Sequence, residues 1–208
     1  MRSGGRPVKG RLIAVEGADG TGKSTQARLL ADRLGAVLTR EPGGTPLGEM
    51  IRSMVLDPDG ERPVDRAEAL LIAAARAQHV AEVVRPALDS GRDVVTDRFI
   101  ESSVAYQGYG RGLGAAEVAA VSAFATDGLA ADLVVVIDVD DVTARERLGV
   151  VLDRIEQAGD DFRDRVVAAY RDMAASDPGR LVVVNGNGSV EEVAGRVSVA
   201  VADRLAGA

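Results

Sequence analysis

Apolar positions along this chain recur with two different periods. Short continuous apolar runs at residues 11–16 (RLIAVE), 36–40, 93–96 (DVVT), 132–139 and 181–184 have the length and β-branched content of strands. Between them lie longer stretches with apolar residues three and four apart. Residues 23–34 carry Ala27, Leu30, Ala31 and Leu34 on one face, and residues 46–56, 65–88, 115–126 and 190–205 read as helices in the same way. From residue 141 to about 175 the chain is a charged helical stretch broken by Gly149 and Gly159. Strands that are apolar throughout, rather than on alternate residues, must be covered on both faces. The alternation therefore predicts an α/β protein, a three-layer αβα sandwich around a five-stranded parallel sheet.

In such sheets ligands bind beyond the carboxyl ends of the strands, which singles out Gly17 onward, Arg40 onward, Asp97 with Arg98, and Asp138 onward. The first of these is a motif. Gly17-Ala18-Asp19-Gly20-Thr21-Gly22-Lys23-Ser24 fits G-x-x-x-x-G-K-[ST] and lies between a predicted strand and a predicted helix. Its glycines permit a turn whose amides point at phosphate oxygens, and the helix N-terminus adds partial positive charge. Lys23 is placed to reach the β and γ phosphates and Ser24 to hold Mg²⁺, so residues 17 to 25, Thr25 included, form the expected site for a nucleoside triphosphate. The motif does not name the acceptor.

Composition narrows the chemistry further. The 208 residues are 46% hydrophobic and 27% charged, which suits one globular domain over residues 11–208 behind a Gly-rich, positively charged flexible arm at 1–10. No apolar run approaches the roughly 18 residues of a membrane span. No apolar segment of signal type follows the arm, and a cytoplasmic protein is expected. The absence of cysteine excludes thiol chemistry, and a single histidine, His79, excludes sites built on several imidazoles. On the long helix His79 is expected at the surface or an interface. A net charge of −7 argues against a nucleic-acid partner. The chain holds 23 arginines but only two lysines, Lys9 in the arm and Lys23 in the phosphate loop.

Three stretches, VEGADGTGKST around the loop (residues 15–25), TREPGGT (39–45) and DRFIESSVAYQGYGRGL (97–113), together with LDRIEQ (152–157), resemble bacterial thymidylate kinases. The similarity runs from about Leu12 to the C-terminus. It implies ATP-dependent phosphorylation of dTMP to dTDP by a homodimer of P-loop kinase fold whose ligands are small nucleotides. Phosphoryl transfer needs a donor cradle, Mg²⁺, cations on the acceptor phosphate and a lid that excludes water. Asp97 is the candidate Mg²⁺ carboxylate, preferred over Asp138, and Arg98 the cation bridging donor and acceptor. By the resemblance, Arg40 helps hold the acceptor phosphate, Asp19 meets the deoxyribose 3′-hydroxyl, and Arg76 hydrogen-bonds a thymine carbonyl. Ser103, Tyr106 and Gln107 match base and sugar positions. Two further readings stand beside this one, a kinase for another pyrimidine monophosphate and a nucleotide-switched regulator, although the chain lacks a guanine-reading N-K-x-D motif.

The chain departs from the family pattern twice. Ile72 stands where a phenylalanine usually stacks on thymine, four residues before Arg76. No arginine occurs among residues 18–21, so the lid, at about 145–160, must supply the cations. If residues 148–154 are helical, Arg147 and Arg154 share a face by their seven-residue spacing while Arg145 points elsewhere. Arg147 and Arg154 are accordingly the expected lid catalysts beside Lys23 and Arg98.

Overall fold

The structure is a computed structural model that describes residues 9–148 and 153–206. Five strands, β1 (Leu12–Glu16), β2 (Val37–Arg40), β3 (Val94–Asp97), β4 (Leu133–Asp138) and β5 (Leu181–Asn185), pair in parallel in the order β2-β3-β1-β4-β5. The central strand β1 is buried along its length and its neighbour β4 as far as Ile137, which is why both read as continuous apolar runs. The outermost strands relax this rule, with Leu38 and Val183 each 45% exposed.

Alternate residues of the strands feed two cores. Leu12, Ala14, Val134 and Val136 face Val84, Phe162, Val166 and Tyr170, whereas Ile13, Val15, Val135 and Ile137 face α1 (Lys23–Leu34) and α9 (Val190–Ala206). A third, smaller cluster joins α2 (Pro46–Leu56) to α3 (Asp65–His79) through Ile51, Val55, Ile72 and Ala75. Among the described residues no helix is long and apolar enough to cross a membrane.

The helix expected over residues 65–88 is interrupted. α3 passes into a π-helical turn at Val80–Val84 before α4 (Arg85–Asp89). Pro86 has no amide to give to Glu82 and its ring crowds that carbonyl, so the ladder widens just before it. Downstream of β3, α5 (Ile100–Ser103) runs into a second π-helical segment, Val104–Gly110, followed by α6 (Ala115–Thr126). The charged stretch beyond β4 resolves into α7 (Asp141–Arg147), a 3₁₀ turn at Glu156–Ala158 and α8 (Asp160–Ser176), with Gly159 at φ 91° separating the last two. The helix expected across 148–154 falls mainly on residues 149–152, outside the described residues.

Candidate active site

The sheet order brings the carboxyl ends of β2, β3 and β1 side by side. Arg40 pairs in register with Asp97, and Asp97 with Val15, so the segments that follow these strands open at one level. They line a cavity of about 520 Å³. Asp19, Lys23, Ser24, Arg40, Ile72, Arg76, Asp97, Arg98, Ser103, Tyr106 and Gln107 all border it, while Arg147 and Arg154 do not.

In the glycine loop, Gly20 adopts φ 81°, and a Cβ there would fall 2.2 Å from the Ala144 carbonyl oxygen, so neither the backbone nor the space admits a side chain. α1 then begins after Gly22 with no side-chain cap, unlike α2, capped by Thr45, and α7, capped by Asp140. Its first amides are left for an anion. The Lys23 ammonium lies 3.3 Å from Asp19 Oδ1 and 3.4 Å from the Ala18 carbonyl. Burial, then the nearby Arg98, hold Lys23 below its ordinary value against the opposing pull of Asp19 and Asp97.

Arg98 is the centre of the charged cluster. It donates to Ser102 Oγ at 2.9 Å, to Tyr106 OH at 3.1 Å and to Asp19 Oδ1, while the Tyr106 hydroxyl donates to Asp19 Oδ2 at 2.7 Å. Burial alone would raise the Asp19 carboxyl, but Arg98 and Lys23 together pull it well below the carboxylate range. The Arg98 backbone sits at φ 72°, a left-handed conformation that costs a non-glycine residue on the order of 1–3 kcal/mol. Three bonds impose it: Arg98 N to Val15 O, Thr96 Oγ1 to Arg98 O, and Phe99 N to Glu16 Oε1, at 3.0, 2.8 and 2.7 Å. Glu16 is fully buried and also accepts from the hydroxyls of Ser102 and Tyr170. Burial and the neighbouring Glu101 push its carboxyl upward.

The opposite wall of the cavity is built on the Glu41-Pro42 peptide, which is cis. Buried Glu41 accepts from Arg76 Nε at 2.6 Å and pairs with His79 Nδ1 at 2.9 Å, and His79 Nε2 lies 2.6 Å from Thr39 Oγ1. His79, expected at the surface or an interface, is instead fully buried because these partners satisfy both ring nitrogens. Its ring also explains Gly44, at φ 77°, where a Cβ would lie 2.8 Å from the imidazole. Arg76 donates to Glu41, Ser122 Oγ, Phe99 O and Ser103 Oγ, which occupies four of the five guanidinium N–H groups and leaves one at Nη1. Ile72 is 6% exposed, with one side on Ile51 and Val55 and the other at the cavity.

The expected lid arginines are drawn elsewhere. Arg154 donates from Nε to Val55 O at 2.8 Å and from Nη2 to Glu68 Oε2 at 3.2 Å, while its backbone amide donates to Leu56 O at 3.1 Å. It thus caps the carbonyl end of α2, where unpaired C=O groups and the helix dipole favour a cation. Arg147 donates to the carbonyls of Gly186 and Gly188, beyond β5. The two guanidiniums therefore do not share a face, and Arg145 is held in the open by Asp141 and Asp160.

The model for the family described as thymidylate kinase matches residues 15–197 of this chain. The chain belongs to the thymidylate kinase family. A curated thymidylate kinase from Leifsonia xyli subsp. xyli is 50% identical over 196 residues, covering 90% of this chain and 92% of that protein. One from Bifidobacterium longum is 45% identical over 194 residues, covering 89% and 94%. The crystal structure of thymidylate kinase from Ehrlichia chaffeensis superposes with a TM-score of 0.78 at 30% identity, over 93% of this chain and 99% of that one.

In this thymidylate kinase family member, sequence reasoning missed four charged residues of the site region. Arg52 on α2 borders the cavity beside Arg40 and donates to the Pro42 carbonyl at 3.0 Å. Burial and Arg40 lower its guanidinium. Its signal was its place one turn after Gly48 in a helix that opens directly from the glycine turn. Arg163, at the start of α8, donates to the Asp19 carbonyl at 3.2 Å and pairs with Asp141 at 3.4 Å, so a cation touches the phosphate loop from outside its sequence. Glu16 ends the apolar run of β1, and Glu68 stands on a helical turn that also carries Asp65 and Arg66, so the local pattern marks neither as buried.

Proposed function

We propose that this chain transfers the γ-phosphoryl group of ATP to dTMP, giving ADP and dTDP for deoxynucleotide synthesis in the cytoplasm. The observation that carries the reading is the single cavity that joins an uncapped, glycine-turned helix start and Lys23 to a wall where Arg40, Arg52 and Arg98 converge. Two clustered phosphates need that many cations at close quarters, because like charges must be brought together before a bond can form. A dTMP phosphate oxygen attacks Pγ, the bond from Pγ to the bridging oxygen of ADP breaks, and no side chain has to form a covalent bond. Lys23 offsets donor charge and Arg98 spans donor and acceptor phosphates, held in place by Ser102, Tyr106 and Asp19. Asp19 and Tyr106 meet the sugar, and Ile72, Arg76, Ser103 and Gln107 surround the base.

The residues present fit Mg²⁺. Asp97 Oδ1 is buried with no hydrogen-bond partner among the described residues, and exposed Ser24 shares the cavity. Asp97 and Ser24 would hold the ion, which when bound neutralises charge on the donor phosphates. Exposed Met50 and Met54 on α2, Leu70 on α3 and Phe124 on α6 belong to three helices that pack side by side, a surface suited to a second copy of the chain.

ADP release with each common nucleoside monophosphate, measured beside Lys23→Ala, tests the reading. It requires acceptor-dependent turnover fastest with dTMP and abolished in the variant. ADP release that ignores the acceptor would refute it, and faster turnover of dUMP or dCMP would assign another pyrimidine.

A further inference from the structure

Glu68 on α3 is fully buried and takes no part in the phosphate chemistry. Its Oε1 accepts from Gln107 Nε2 at 2.9 Å and from Arg111 Nε at 3.2 Å, and its Oε2 from Arg111 Nη2 at 3.1 Å and Arg154 Nη2 at 3.2 Å. Two guanidiniums and one amide thus converge on one carboxylate.

The consequence falls on Gln107. Its NH₂ group and its carbonyl oxygen are nearly equal in size, so a glutamine free to turn can offer a base either a donor or an acceptor. Here the freedom is gone, because a carboxylate shared with two arginines has only lone pairs to offer. The NH₂ must face Glu68, and since Gln107 borders the cavity, the carbonyl oxygen is the acceptor it keeps for a ligand. An acceptor at that point is satisfied by a pyrimidine edge carrying N3–H, as in thymine and uracil. Cytosine presents a lone pair at N3, and two acceptors then face each other with neither hydrogen-bonded.

We propose that Glu68 is a positioning residue for base selectivity, locking the Gln107 amide with its carbonyl oxygen toward the acceptor base so that N3–H pyrimidines are taken and cytosine is refused. The inference rests on the reading that Gln107 meets the base, and it adds the buried group that decides how. Arg111 and Arg154 tie the same carboxylate to the end of the π-helical segment and to α2, so the selectivity device is anchored on three elements.

The test uses the ratio of kcat/KM for dUMP over dCMP, which is internal to each enzyme and unaffected by the folded fraction. Glu68→Ala should lower that ratio about tenfold or more, as should Gln107→Ala, because an edge-reading contact of this kind discriminates at least that strongly. A parent ratio in Glu68→Ala beside a collapsed one in Gln107→Ala would overturn the proposal and leave the base site standing. A parent ratio in both would overturn the proposal together with the placement of Gln107 at the base. Should Glu68→Ala not fold, the side-chain amide protons of Gln107 in the unsubstituted protein decide the matter by NMR. Slow solvent exchange, with and without dTMP, supports the lock, and fast exchange refutes it.

Discussion

Replacing Arg154 separates a catalytic from a structural arginine. In Arg154→Ala the Val55 carbonyl loses its charged donor, Glu68 loses one of two guanidiniums, and the carbonyl end of α2 loses a cation. A hydrogen bond to a charged group contributes about 1.5–3 kcal/mol, and a cation at a helix C-terminus about 0.3–1 kcal/mol more. Arg111 remains on Glu68, so no bare buried carboxylate is created and the larger cost of a fully broken buried pair does not apply. The expected loss is about 2–4 kcal/mol, or roughly 4–15 °C in Tm for a domain of this size. Thermal melts and steady-state kinetics on the folded protein check it together. The folded fraction should turn over within about threefold of the parent kcat, while KM for dTMP rises, because α2 also carries Arg52 to the cavity. A kcat lowered by 10³ or more at unchanged Tm, the scale of an arginine on the transferring phosphoryl group, would refute the structural assignment.

Other perturbations address single residues. Arg98→Ala should lower kcat with dTMP by about 10³-fold, since a guanidinium on the moving phosphoryl group has no substitute in water; a change confined to KM for ATP would place Arg98 on the donor alone. Ile72→Phe should lower KM for dTMP several-fold if the ring enters the cavity, base–aromatic stacking contributing roughly 1–3 kcal/mol; an unchanged KM with a lower Tm would show the ring overpacking Ile51 and Val55. Asp19 has its folded carboxyl below the ordinary 3.8, so the stability it contributes is present above about pH 4 and is lost as the pH falls through the folded value. The gap in Tm between the parent and Asp19→Asn should therefore narrow below about pH 4, and a gap constant from pH 7 to pH 3 would contradict the shift.

Much of this architecture is readable from the sequence, for physical reasons that differ by element. The strands were legible because β1 and β4 lie in the sheet centre and are apolar on both faces. The phosphate loop was legible because its turn restricts Gly20 by backbone and space at once and Gly22 by its left-handed backbone. The π-helical turn at Val80–Val84 was not, since Pro86 signals a disturbed helix without saying whether the ladder breaks or widens. His79 misled because it shares a helix face with Arg76 and Glu68, charges that read as solvated, and its burial depends on Thr39 and Glu41, some forty residues upstream. Arg154 misled for the opposite reason: its spacing from Arg147 suggested a shared face, but the free carbonyls of α2 offered it better partners.

The buried polar chain from Thr39 through His79, Glu41 and Arg76 to Ser103 and Ser122 constrains how such a site can diverge. Each member completes a neighbour's hydrogen bonding, so a single replacement strands a partner in the interior and is felt as misfolding before it is felt as altered recognition. The cavity wall tolerates replacement best where the contact is apolar, and Ile72 is such a place. A substitution at Ile72 alters hydrocarbon volume at the cavity wall alone, whereas the hydrogen-bonded scaffold behind it can change only as one unit.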